Sequence, residues 1–380
     1  MTIDSQNDMH QQAPGHAAWG LGSLLSIDKQ PFRSGRAATA GLGRAAWALA
    51  CALCLGCGAG SASSPTQPTP LLSLDFDRLA QGELPAGVAI RTQFKAPDVV
   101  PGVVGTAWRT DGFSSYAESS LPLDARQGFT LSLWVALESY PADREVPVSE
   151  LRPSSLAQQR LGDAGFDLHV DAFGRWGFRV ATADGVLQVT APQRFALRRW
   201  VQVVAVVDPA AGQVKLYQDR QLVGSATGKA GTGLRLAAAP FRLAVPAVEA
   251  TILDFKINRI NGAYDLVAVH PAALSDEQIA QLPGPTAAQV PDASAALQVP
   301  DSRFAGDALR PRVHPLPPAN WTNEPHGLVR VGDGRGGDTW HLFYQRTPNG
   351  PFKTLMHWGH MSSTDLVIWT HLPDALWPEL

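Results

Sequence analysis

"WVQVVAVVDPAAGQVKLYQDRQLVGSA", residues 200–226, decides the fold of most of the chain. Its first nine residues are almost continuously apolar, which fits a strand buried on both faces. "QVKLYQDRQLVGSA" then reads as a hairpin that turns around Asp219-Arg220. Outward from this core the same grammar repeats. "GFTLSLWVAL" (128–137) puts Phe129, Leu131, Leu133 and Val135 on one face. Thr130, Ser132 and Trp134 fall on the other, the period-2 signature of a half-buried strand. "FDLHVDAFGRWGFRV" (166–180) predicts a second hairpin, turning near Gly174. One short helix is expected, at "LSDEQIAQL" (274–282), where Ser275 and Gln278 have capping-box spacing. Many strands with almost no helix predict an all-β chain, here a β-sandwich.

The chain has 380 residues, enough for two domains with tails. Hydrophobic residues make up 45% and charged residues 17%, so most of it should fold. A net charge of −3 without a Lys/Arg tract gives no electrostatic basis for binding nucleic acid. No cofactor motif is present, and none is expected.

All three cysteines, Cys51, Cys54 and Cys57, lie in "ACALCLGC", so no disulfide can staple the later domains. Ala45–Gly56 is an uncharged run preceded by Arg33, Arg36 and Arg44. It suits the apolar core of an export signal and is shorter than the about 20 residues that span a bilayer. Gly56-Cys57 resembles the end of a bacterial lipoprotein signal, which makes Cys57 the candidate for lipidation. Residues 1–57 are thus expected to be an export segment with an over-long start. Residues 58–71 are a Ser/Pro/Thr tether without the means to form a core. The expected location is secreted or membrane-anchored, with the membrane reached only through the lipid.

Three stretches of residues 72–283 resemble a known fold: "FTLSLWV", "RWVQVVAVVD…GQVKLYQDRQLVGSA" and "NGAYDLVAVHPAALSDEQI". They look like successive strands of a laminin-G-like, concanavalin-type jelly roll. Such domains bind sugars, bind calcium-dependent partners or act as spacers. Asp75, Asp77 and Asp265 are expected in turns rather than on calcium, since no dense oxygen-ligand loop is visible. Trp134 and Trp176 are expected in the core.

Residues 284–309, rich in Ala, Pro and Asp, read as a linker. After it, "GLVRV" and "WHLFYQ" read as strands around the turn-rich "VGDGRGGD", a spacing that suits one blade of a β-propeller. Within "NWTNEPHGLVR" (320–330), Glu324 sits among Trp321, Asn323 and His326. Its carboxylate could attack a sugar, hold one, or close a turn.

Four short segments of residues 310–380, in order, carry a resemblance to a known family. Arg310-Pro311 with His314, then Trp321–Gly327, then His341–Gln345, then Met356–His360 with Ser363, Asp365, Leu366 and Trp369 resemble the opening of glycoside hydrolase family 32, the invertases, inulinases and levanases. The resemblance implies the start of a five-bladed propeller and retaining hydrolysis of β-fructofuranosides, with carbohydrate as the partner. It places the nucleophile on Glu324, fructose contacts on Gln345 and Trp358, and a substrate-holding residue at Asn323. Glu stands where the family has Asp, and His326 where it has Asn. The extra methylene moves the carboxylate by about 1.5 Å, one C–C bond. The family's Arg-Asp-Pro and Glu-Cys motifs, which supply transition-state stabilisation and the acid/base, are not in these 380 residues. The chain is therefore expected to be truncated and inactive alone. The other reading is a surface-tethered carbohydrate-binding or adhesion protein with a decayed hydrolase segment. No metal is expected: His357 and His360, three apart on a strand, point to opposite faces. Asp365 is expected to cap a turn.

Overall fold

The computed structural model describes residues 67–93, 96–144, 146–299, 307–311, 314–332, 334 and 337–379. The export segment and Cys57 lie outside them. In chain order the strands of the first part are β1 (Leu72–Leu74), β2 (Val88–Arg91), β3 (Asp98–Pro101), β4 (Thr106–Arg109), β5 (Tyr116–Ser119) and β6 (Phe129–Ser139). There follow β7 (Ser154–Leu161), β8 (Ala164–Val170), β9 (Trp176–Thr182), β10 (Gly185–Thr190), β11 (Trp200–Asp208) and β12 (Gln213–Gln218). The first part closes with β13 (Gln221–Thr227), β14 (Phe241–Leu243), β15 (Ala250–Ile252), β16 (Phe255–Ile257) and β17 (Asn261–His270). Two short helices, α1 (Asp276–Ala280) and α2 (Ser294–Leu297), come next. The last four strands are β18 (Trp321–Gly332), β19 (Asp338–Thr347), β20 (His357–Ser363) and β21 (Thr370–Leu376).

Two antiparallel sheets form the sandwich. One runs β13-β12-β11-β6-β17-β4-β3, with β1 also on β17; the other runs β10-β9-β8-β7-β14-β5-β2. Leu131, Leu133 and Val135 of β6, with Val203 and Ala205 of β11, meet Phe166, Leu168, Phe178 and Phe241 of the facing sheet in one core. At about 25 cal/mol per Å² of apolar surface, this burial is the main force holding the sheets together. The two hairpins form as their sequences predict. Gly174 turns with φ +79° between β8 and β9, and Asp219 (φ +50°) and Arg220 (φ +66°) turn between β12 and β13. Two positive-φ residues in a row give the turn whose twist matches paired strands. The α1 capping box is present, with the Ser275 hydroxyl accepting from the Gln278 amide.

β6 is not half-buried: Thr130, Ser132 and Trp134 are as buried as the opposite face. The reason lies further along the chain. Ala293, Ala296 and Leu297, on and beside α2, cover Trp134 and Trp200, while Leu274, Ile279 and Leu282 around α1 cover Val204 and Val206. Of the stretch expected to be a linker, the segment from Val290 to Leu297 is thus packed on the sheet's outer face, while Leu309 is exposed.

β18–β21 form a separate four-stranded antiparallel sheet in which sequence neighbours pair. Opposite residues share a face, so Arg346↔His357, Tyr344↔Gly359 and Leu342↔Met361 define one side. Gly359 has to be glycine, because an added Cβ would lie 2.5 Å from the Tyr344 ring. This side docks on the sandwich through buried polar groups. Arg346 of β19 donates from Nη2 to Glu138 Oε1 of β6 at 2.9 Å, and Arg109 of β4 holds the other Glu138 oxygen. Arg346 Nη1 lies 3.3 Å from Asp374 Oδ1 of β21, an ion pair rather than a hydrogen bond, and His357 Nδ1 donates to Asp374 Oδ2 at 2.9 Å. Next to this chain of charges, Asn349 donates to the Tyr140 carbonyl at 2.8 Å and accepts from the Ser139 hydroxyl at 2.6 Å.

Burial alone would push the Glu138 carboxyl up, but the Arg109 and Arg346 guanidiniums outweigh it and hold it below the ordinary range. Asp374 is likewise held down against its burial, by Arg346 and the His357 hydrogen bond. Removing the shared cation leaves the buried Asp374 without a guanidinium in contact and Glu138 with Arg109 alone. Arg346→Met should therefore destabilise the protein by about 3–5 kcal/mol, measured by chemical denaturation. A change below about 0.5 kcal/mol would show that the cluster holds nothing together.

Candidate functional site

The other face of the four-stranded sheet gathers the residues that the sequence singles out. Gln345 lies directly opposite Trp358, and Phe343 opposite His360, all on the side away from Arg346. Asn323 Nδ2 donates to Gln345 Oε1 at 3.1 Å. The His326 ring stacks on Trp358 with centroids 5.1 Å apart and 14° between planes. Further along, Phe343 stacks on His360 at 4.5 Å, and His341 Nδ1 meets His360 Nε2 at 2.9 Å. Burial first and then the nearby His341 lower the His360 pKa, favouring its neutral form. Trp358 remains 40% exposed, an open apolar plate.

β18 does not pair evenly with β19. Thr322 is opposite Arg346 and Pro325 opposite Tyr344, so both Asn323 and Glu324 stand against the single Gln345. A second slip leaves His326 between the Pro325↔Tyr344 and Gly327↔Phe343 pairs. Bulges of this kind release side chains from strict alternation, which is why they re-aim residues beside active sites. They also give Pro325, which has no N–H for a ladder, a tolerated place in a strand. Glu324 is exposed, and among the described residues its carboxylate has no hydrogen-bond or ion-pair partner.

The remaining described Asp carboxylates of the sheet are committed elsewhere. Asp338 pairs with Arg330, and Asp374 belongs to the buried cluster. Asp365 Oδ1 accepts from the Val367 and Ile368 amides, both at 2.8 Å, which caps the turn after β20. Those two amides, Ile368 first, and the Ser363 hydroxyl hold its carboxyl below the usual range.

On the sandwich, the acidic residues serve turns. Asp75 accepts from the Asp77 amide at 3.2 Å, and Asp77 accepts from the Thr106 amide at 2.8 Å. Asp265 accepts from Val104 and Leu266 at 3.1 and 2.8 Å. Trp134 and Trp176 are core residues, donating their indole N–H groups to the Pro283 and Gln193 carbonyls. The Glu138–Arg346–Asp374 cluster is what sequence reasoning missed. Its partners Glu138 and Arg346 are 208 residues apart, and the only local hint was a charge ending an apolar strand.

Burial pushes the Asp265 carboxyl up to about 7 against the amides that favour its charge. Its folded pKa lies above that of an unfolded aspartate, about 4. The folded form therefore holds the extra proton between about pH 4 and 7, and stability from this site falls as pH rises through that window. His371, which burial first and then Arg346 and Arg310 lower to about 4, acts in the opposite sense as pH falls below about 6.5. A difference profile isolates Asp265. The cost of Asp265→Asn, measured by thermal denaturation, should be largest near pH 4 and smaller near pH 7.5, at about 1.4 kcal/mol per tenfold change in proton affinity. A cost independent of pH would remove the raised pKa.

Residues 314–380 match the glycosyl hydrolases family 32 N-terminal domain, and residues 110–280 match the concanavalin A-like lectin/glucanases superfamily. Over 79 residues the chain is 46% identical to a levanase of Bacillus subtilis, which covers 21% of this chain and 11% of the relative. Over 73 residues it is 41% identical to a sucrose-6-phosphate hydrolase of Escherichia coli, covering 19% of this chain and 14% of the relative. The chain thus spans about a tenth to a seventh of the length of these curated relatives. Among solved structures, domain 4 of AbnA, a GH43 extracellular arabinanase from Geobacillus stearothermophilus in complex with arabinotriose, is 15% identical with a TM-score of 0.39, covering 57% of this chain and 99% of that one. The two family matches fall on separate parts of the chain, the concanavalin A-like one on the sandwich and the family 32 one on the segment that holds the four-stranded sheet.

Proposed function

From a family 32 N-terminal domain carried on a concanavalin-like sandwich, we propose that the protein acts in the β-fructosidase class, on fructans or sucrose-type β-fructofuranosides. The four-stranded sheet is then the first blade of that family's propeller. Its open face is the part that meets the fructosyl unit: Asn323 and Gln345 hold hydroxyls, Trp358 presents a stacking surface, and Glu324 is the nucleophile. The observation that carries the reading is the double bulge in β18, which sets Asn323 and Glu324 together against Gln345, beside Trp358.

Retaining hydrolysis needs a second carboxyl group about 5–5.5 Å from the first. Asp338, Asp365 and Asp374 are each engaged elsewhere. The 380-residue polypeptide is accordingly expected to bind fructose-containing oligosaccharides without cleaving them. Isothermal titration calorimetry with levan-derived oligosaccharides tests this, and Trp358→Ala should weaken binding by about tenfold or more. Unchanged binding in that variant would refute the assignment of the face. Fructose released by the purified 380-residue protein would refute the missing acid/base.

The same reading includes export, supported by the apolar run Ala45–Gly56 and the Ser/Pro/Thr tether behind it. Cys57 is then the lipid-bearing residue. Cys57→Ala should move the protein from the membrane fraction to the soluble fraction, and an unaltered distribution would count against lipidation.

A further inference from the structure

The seam between the sandwich and the four-stranded sheet is not fully closed. A cavity of about 330 Å³ opens there, at the small end of the range for ligand sites. One wall is the connection between β10 and β11, which brings Arg194 and Arg198; Tyr140, just past β6, stands beside it. The other wall is His357 at the start of β20, with Asp374 and Trp377 on and just past β21. This is the Arg346 side of the sheet, opposite the face that carries Asn323, Gln345 and Trp358.

The lining has a definite chemistry. Arg109 and Arg346 already balance Glu138 and Asp374. Arg194 and Arg198 form no ion pair among the described residues, while Glu138 and Asp374, which also line the cavity, are already paired with Arg109 and Arg346 and feel the charge of Arg198 only at longer range. Arg198 sits in the left-handed region at φ +59° and is fixed there by its amide, which donates to the Leu137 carbonyl at 2.8 Å. A bulky residue held in that conformation by its surroundings is a feature of ligand clamps. His357 commits Nδ1 to Asp374, which leaves Nε2 for an occupant. Trp377 is 39% exposed, and Tyr140 is anchored by its hydroxyl on the Phe195 carbonyl at 2.7 Å.

We infer that the seam is a second binding site, for a sugar-sized ligand bearing an anionic group, either a carboxylate or a phosphate ester. The Arg194 and Arg198 guanidiniums take the anion, as their forked donors suit planar and tetrahedral oxyanions. The Trp377 plate takes the ring, since an indole offers one apolar surface next to a polar rim. This assignment does not depend on the role of Glu324.

Calorimetric titration of the 380-residue protein with glucuronate, fructose 6-phosphate, fructose and inorganic phosphate tests it. Saturable binding of glucuronate alone identifies the carboxylate, of fructose 6-phosphate alone the phosphate ester, and of both a general anion clamp. In each case Arg194→Ala and Arg198→Asn should weaken binding by about tenfold. Asn tolerates the left-handed backbone, so that variant should fold. Lys229→Ala, which removes an exposed cation of the sandwich, should leave binding intact. The assignment is overturned by the absence of saturable binding of either anionic sugar at millimolar concentration. It is also overturned by binding that survives both arginine substitutions, by fructose binding as tightly as the charged sugars, or by inorganic phosphate binding as tightly as fructose 6-phosphate.

Discussion

One guanidinium holds two parts of this molecule in register. Arg346 leaves the four-stranded sheet, reaches Glu138 on the sandwich, and balances Asp374 two strands away in its own sheet. A buried carboxylate without a cation is costly, and a buried guanidinium without carboxylates equally so. Among the described residues Asp374 has Arg346 as its one guanidinium in contact, while Glu138 is shared between Arg346 and Arg109. The sandwich strand β6, the sheet strand β19 and the irregular strand β21 are fixed relative to one another by these pairings. Asn349, packed against Ser139 and Tyr140, adds directional bonds at the same seam. Because Arg346 and Gln345 are neighbours on one strand, docking one face on the sandwich leaves the Gln345 face open.

That open face owes its form to irregularity. Regular pairing would place Asn323 and Glu324 on opposite sides of β18. One extra residue in β18 puts both opposite Gln345, a second leaves His326 unpaired, and Pro325 fits between the two bulges because they ask no amide of it. The His326 ring lies flat on Trp358. A ligand reaching the Trp358 plate from that side has to meet or displace the imidazole. Glu324 and His326 are thus both on the bulged segment.

Much of the sandwich was legible in the sequence because its signals are local. The hairpins at Gly174 and Asp219-Arg220 and the cap at Ser275 each depend on a few consecutive residues. The period-2 reading of β6 failed as to its outer face, because what covers Thr130, Ser132 and Trp134 comes from beyond residue 270. Periodicity reports polarity, and a Thr or Ser under a packed helix looks the same as one in water. The candidate residues Asn323, Gln345 and Trp358 were legible as a motif, and their meeting on one face is a matter of register. The buried cluster and the seam cavity were not legible. Charges at positions 109, 138, 346 and 374 have no shared pattern in the chain, and only the tertiary structure brings them together.

The central claim is that Arg346 couples the sandwich to the sheet through Glu138 and Asp374. A double-mutant cycle on Glu138→Gln and Asp374→Asn, read by chemical denaturation, measures it most directly. Neutralising one carboxylate changes what the other gains from the shared cation, so the account predicts a coupling energy of about 0.5–3 kcal/mol. Effects that add within about 0.3 kcal/mol would contradict it, and would leave the two carboxylates as independent neighbours of a merely crowded arginine.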